Sequence, residues 1–147
     1  KDPIWEEIIK NTVTTKSDIV EKDFRDLRER KYLNFGHTFG HGIELLKSVK
    51  HGFAVAAGIK LATLFSLKEG LIQEDEYKRI IFLLKKYKLP VDYDIPASKI
   101  RKLILHDKKI AGNEIHFVFV EGVGKAIVKK IGVGEVMDFY KNIAPGK

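Results

Sequence analysis

Apolar residues recur at helical spacing along much of the chain. Ile19, Val20, Phe24 and Leu27 form one such run, Ala54 to Leu67 a second, and Tyr77, Ile80, Ile81, Leu83 and Leu84 a third. Pro90 and Pro96 bracket a short irregular passage, after which Ile100, Leu103 and Ile104 are spaced as a further helix. The period then changes. Ile115 to Val120 and Ala126 to Ile131 are β-rich runs joined by Glu121-Gly122-Val123-Gly124, which predicts a hairpin. Gly132 and Gly134 end it, and Glu135 to Ile143 has the spacing of a closing helix. The pattern predicts a mainly α fold with one β-hairpin, and no internal repeat, low-complexity tract or long linker interrupts it.

A length of 147 residues is that of one domain, spanning 1–147, with room for a sizeable core. The composition, 44% hydrophobic and 32% charged, is that of a soluble globular protein, and no stretch approaches the ~20 apolar residues of a membrane span. No membrane is expected as a partner. The start, Lys1-Asp2-Pro3-Ile4-Trp5-Glu6-Glu7, carries acids where a signal peptide has its apolar region. With no cysteine there is neither a disulfide framework nor a thiolate metal site, which fits a reducing compartment and makes the cytoplasm the expected location. The net charge of +7 calls for an anionic partner, whether nucleic acid, a membrane surface or a phosphorylated small molecule; charge does not choose among them.

Chemistry concentrates in Arg30-Lys31-Tyr32-Leu33-Asn34-Phe35-Gly36-His37-Thr38-Phe39-Gly40-His41-Gly42-Ile43-Glu44. Gly36, Gly40 and Gly42 each cost roughly 1 kcal/mol relative to alanine in a helix, so a ligand or another backbone should approach closely there. His37 and His41 share a helical face, His51 follows, and imidazole nitrogens on one face suit zinc. Thr38 stands where a metalloprotease helix has its general-base glutamate, which excludes that pattern. Histidines four apart also occur as hydrogen-bonded core residues. Spacing therefore leaves open both metal binding itself and which pair of the three would ligate.

Leu33-Asn34-Phe35-Gly36-His37-Thr38-Phe39-Gly40-His41, followed by His51-Gly52-Phe53-Ala54-Val55, resembles the signature of 3-dehydroquinate synthases. Lys16, Asp26 and Arg30 upstream, and Asp107-Lys108-Lys109 downstream, stand at similar family positions, so the resemblance covers nearly the whole chain. It implies a multi-helical C-terminal domain with one hairpin, in which His37 and His51 ligate zinc (or cobalt) and His41 moves protons. An imidazole off the metal stays available for proton exchange. Asp26 is similar to the family's acidic active-site residue, and Lys16, Arg30, Asn34 and one of Lys108 and Lys109, with Lys108 favoured, match substrate-contacting positions. The implied reaction converts 3-deoxy-D-arabino-heptulosonate 7-phosphate to 3-dehydroquinate and phosphate in the shikimate pathway, and so serves aromatic amino acid biosynthesis. Transient oxidation by NAD, phosphate loss, re-reduction, ring opening and aldol closure make up the sequence of steps. Zinc would polarise the hydroxyl being oxidised, and cationic side chains would bind carboxylate and phosphate.

Three departures qualify the match. Phe53 stands where the family has glutamate, and Asp26 is one methylene shorter than the family's glutamate. The family's third zinc ligand, also a glutamate, belongs upstream of this chain; Glu6 and Glu7 lie too near Lys16 to take its place. No Gly-x-Gly-x-x-Gly fingerprint is present, so NAD is expected to be held mainly by a missing NAD-binding domain, which makes that domain a partner. The isolated chain is accordingly expected to be inactive, and the resemblance implies a homodimer for the whole enzyme. Two alternatives are another sugar-phosphate cyclase, which pocket residues would distinguish, and a basic helical nucleic-acid-binding module, which would leave the glycine–histidine segment unexplained. Nucleic acid is not expected as a partner.

Overall fold

The computed structural model describes residues 3–25, 29–105 and 113–144. These residues form two compact units, Lys1–Asn34 and Phe35–Lys147. The first contains helix α1 (Pro3–Lys22) and a 3-10 helix (Glu29–Asn34). The second contains α2 (His37–Lys47), α3 (His51–Lys68), α4 (Glu74–Lys86), α5 (Ala97–Leu105), strands β1 (Glu114–Val120) and β2 (Ala126–Gly132), and α6 (Val133–Ile143). The mainly α architecture with one hairpin is the one the hydrophobic pattern predicts. Among the described residues no helix is long and apolar enough to cross a membrane.

The first unit departs from the pattern in detail. Helix α1 starts at Pro3, whose fixed φ and missing N–H suit a first helical turn, well before the run at Ile19 that announced a helix. It ends at Lys22, so Phe24 lies in a turn, 79% exposed, rather than on the helix, and Leu27 lies outside the described residues. The buried Asp23 carboxylate accepts the Arg30 backbone N–H at 3.1 Å, and the Arg30 guanidinium donates to the Phe24 carbonyl at 3.0 Å. These bonds tie the chain after α1 to the 3-10 helix.

The second unit is built on a short approach between α2 and α3. Gly36, at φ 78°, precedes α2 in a left-handed conformation that side chains rarely adopt. A Cβ there would stand 2.6 Å from the Ile59 nitrogen. A Cβ on Gly58 would meet the Gly40 nitrogen at 2.9 Å and the Gly36 carbonyl oxygen more closely still. One on Gly40 would stand 3.2 Å from the Val55 Cα. The glycine costs anticipated from the sequence are thus compensated by backbone-to-backbone packing. Each turn forward along α2, from Gly36 to Gly40 to Glu44, meets a turn backward along α3, from Ile59 to Val55 to His51.

Against this pair lies an aromatic core. Phe39 on α2 stacks on Tyr140 of α6 at 5.6 Å, and Phe65 on α3 stacks on Phe139 at 4.2 Å between centroids. Phe117 and Phe119 of β1 complete the cluster, edge-on to Phe65 at 5.4 and 5.1 Å. The strands pair antiparallel from Glu114↔Gly132 to Val120↔Ala126, and the turn between them closes through Glu121 N–H to the Lys125 carbonyl at 2.9 Å. Buried Ser66 fixes the hairpin to α3: its hydroxyl donates to the Ala62 carbonyl at 2.9 Å and accepts the Val120 N–H at 3.0 Å.

Tyr140 supplies a pH-dependent component of stability. Its hydroxyl donates to the Ile95 carbonyl at 3.0 Å, and burial, with a smaller contribution from the Asp94 carboxylate, pushes its pKa above the ordinary 10.0. The unfolded chain therefore loses this proton first, so the contribution is complete below pH 10 and is lost as pH rises beyond it. Tyr140→Phe should cost about 1 kcal/mol at neutral pH through the lost hydrogen bond. It should also flatten the decline in urea-unfolding free energy above pH 10; an unchanged decline would assign it to other groups.

Candidate functional site

The glycine-set register of α2 and α3 determines where the histidines stand. His37 opens α2, His41 lies one turn later, and His51 opens α3 after the short Ser48-Val49-Lys50 connection. The rings gather closely: His37 lies 5.3 Å from His41 and 5.3 Å from His51, and His41 lies 6.1 Å from His51, between centroids. Two imidazoles sharing a tetrahedral zinc, each bonded at about 2.0–2.1 Å, place their centroids about 5.2 Å apart. By distance, His37 can pair with either of the others.

Hydrogen bonding orients two of the rings. His37 Nδ1 lies 3.2 Å from the Phe35 carbonyl oxygen, and His51 Nδ1 lies 2.9 Å from Glu44 Oε2. Both oxygens only accept, so each Nδ1 carries the proton and each neutral ring keeps its lone pair on Nε2. An oxygen acceptor on the far nitrogen is the usual accompaniment of a metal-ligating histidine. His37 and His51 have that arrangement, which fits a divalent ion taken through Nε2. Among the described residues no set of three or more His, Asp or Glu side chains is disposed to hold an ion, so the donor set among those residues is partial.

The residues expected to contact substrate lie in the first unit. Lys16 is exposed at the middle of α1, Arg30 is partly exposed in the 3-10 helix, and Asn34, half-buried, closes that helix. Arg30 points where its bond to the Phe24 carbonyl holds it. Asp26, Lys108 and Lys109 lie outside the described residues. Phe53 is 40% exposed in the first turn of α3, just after His51. A cavity of about 290 Å³ opens beside Ala57, Leu61, Leu64 and Tyr140, but no histidine lines it. The three imidazoles form a separate cluster of side chains. Sequence reasoning missed Glu44 as a member of that cluster. Its signal was an acid one turn beyond His41, facing His51 across a connection of only three residues.

Comparison with known proteins decides the family. The family model described as 3-dehydroquinate synthase C-terminal matches residues 1–110, most of the chain. The chain belongs to the 3-dehydroquinate synthase C-terminal family. It is 39% identical over 128 residues to the 3-dehydroquinate synthase of Dichelobacter nodosus, covering 84% of this chain and 35% of that protein. With the Streptococcus sanguinis 3-dehydroquinate synthase, identity is 38% over 140 residues, covering 92% of this chain and 39% of the relative. The chain thus spans well under half the length of these curated relatives. Its fold is similar to that of the 2-epi-5-epi-valiolone synthase of Streptomyces hygroscopicus, solved with NAD+ and Zn2+ bound. That match has a TM-score of 0.78 at 20% identity and covers 92% of this chain and 39% of that one. A 2-deoxy-scyllo-inosose synthase complexed with carbaglucose-6-phosphate, NAD+ and Co2+ matches with a TM-score of 0.76 at 22% identity, covering 93% of this chain and 40% of that one. Both of these synthases thus share this chain's fold.

Proposed function

We propose that this chain is the metal- and substrate-binding portion of a 3-dehydroquinate synthase, acting on 3-deoxy-D-arabino-heptulosonate 7-phosphate in the shikimate pathway. The observation that carries this reading is the imidazole cluster on the glycine-packed α2–α3 pair, with the Nδ1 atoms of His37 and His51 both taken by oxygen acceptors. In this reading His37 and His51 hold zinc or cobalt through Nε2, and a carboxylate from outside the chain completes the ligand set. The bound ion supplies Lewis-acid polarisation of the substrate hydroxyl. His41, beside both rings, takes and returns protons, with Asp26 as an acidic partner. Lys16, Arg30, Asn34 and Lys108 hold the anionic and hydroxyl groups of the substrate; a guanidinium suits a carboxylate or phosphate through paired donors. NAD is bound by a domain additional to this chain, and the assembled enzyme works in the cytoplasm, as a homodimer, without nucleic acid.

Identity of 38–39% to 3-dehydroquinate synthases favours this substrate over those of the cyclases that match at 20–22%. The purified chain, given zinc, NAD and the seven-carbon sugar acid phosphate, should release no phosphate and form no dehydroquinate. Dehydroquinate formation by the purified chain alone would overturn the assignment of NAD binding and of a metal ligand to sequence beyond it.

A further inference from the structure

We propose that Glu44 is a positioning residue for the metal centre: its carboxylate holds His51 in the tautomer and orientation that aim the Nε2 lone pair at the ion shared with His37. The inference rests on the reading of His51 as a ligand. Among the described residues little else restrains the His51 ring, whose side chain is 53% exposed at the first position of α3. Free to turn, such a ring exchanges rotamers and tautomers, and the commoner neutral tautomer of an unrestrained histidine carries its proton on Nε2, where it blocks ligation. The contact from Nδ1 to Glu44 Oε2 at 2.9 Å removes both freedoms. It fixes the proton on Nδ1, and it fixes the plane of a ring whose centroid stands 5.3 Å from that of His37.

The contact follows from the same backbone geometry that packs the helices. Gly36, Gly40 and Glu44 lie on one stripe of α2, and the close approach permitted by Gly36, Gly40 and Gly58 sets the register that delivers Glu44 to His51. A glutamate one turn earlier or later along α2 would face Val55 or pass the end of the helix. Glu44 thus couples the packing of α2 on α3 to the aim of a metal ligand, without touching the metal itself.

Glu44→Ala and Glu44→Gln separate this role from direct ligation. Histidine-15N spectra of the metal-free chain should show His51 protonated on Nδ1 in the wild type and shifted toward the Nε2-protonated form in Glu44→Ala. Zinc affinity should fall about 10- to 100-fold in Glu44→Ala, the usual effect of removing an outer hydrogen-bond partner. Glu44→Gln, whose amide oxygen still accepts from Nδ1, should keep the wild-type tautomer and most of the affinity. An unchanged His51 tautomer in Glu44→Ala would overturn the proposal. So would a Glu44→Gln variant as impaired in zinc binding as Glu44→Ala, which would make the carboxylate a ligand in its own right. If the tautomer shifts as expected but His51→Ala leaves zinc binding intact, the orienting contact stands and the metal assignment of His51 is what fails.

Discussion

Gly58→Ala should destabilise the chain by about 3 kcal/mol, the upper part of the range for forcing a methyl group into a packed interior. Two effects compete at this position. Alanine is favoured over glycine in a helix by about 1 kcal/mol, which on its own would stabilise α3. The added Cβ, however, stands 2.9 Å from the Gly40 nitrogen and still closer to the Gly36 carbonyl oxygen, and both are backbone atoms that cannot swing aside. Relief requires the two helices to separate, which strips contacts along their length, so the clash wins. For a chain of this size the melting temperature should fall by roughly 6–12 °C. Gly134→Ala is the control: no atom lies within 4 Å of a Cβ built there on α6, and only the helix-propensity gain remains. Thermal denaturation monitored by circular dichroism measures both. Equal stability of Gly58→Ala and wild type would mean that α2 and α3 do not approach as closely as described.

Zinc should bind the chain weakly, with the site lost in His37→Ala and in His51→Ala and nearly unchanged in His41→Ala. Two imidazoles are fewer than the trio of protein ligands usual for catalytic zinc, which keeps the affinity low. Protons and metal compete for the same lone pairs, so binding should weaken further as the solution is acidified. The centroid distances alone admit a His37–His41 pair, since both neighbours of His37 lie 5.3 Å away. The Glu44 acceptor on His51 Nδ1 fits a ligand's arrangement, and the family resemblance gives His41 the proton-handling role. Calorimetric titration of the three variants discriminates sharply. Loss of binding in His41→Ala with retention in His51→Ala would place the ion on the α2 pair and return His51 to the surface.

Much of the fold was legible because it is written in local periodicity. The hairpin from Ile115 to Ile131 announces itself by β-rich runs around a glycine turn, and α3 by the long, mostly apolar run from Ala54 to Leu67. Helix α1 was harder. Its first turns do carry Ile4, Trp5, Ile8, Ile9 and Val13 at helical spacing, a signal the sequence reading passed over, and all five are exposed. Its end at Lys22 depends on Asp23 receiving the Arg30 N–H from seven residues away, a bond that no local window contains.

The sequence by itself determined the family, the identity of the candidate donors and the presence of glycines costly enough to demand a close approach. Those properties reside in residue type and in spacing within one segment. Only the tertiary structure decided what the glycines approach, which is the backbone of α3, and hence the register that sets Glu44 against His51. It alone brought His51 to the α2 pair and put acceptors on the Nδ1 atoms of His37 and His51. A ligand's aim is set by contacts across helices and by the atoms behind the ring, and neither has a signature in linear spacing.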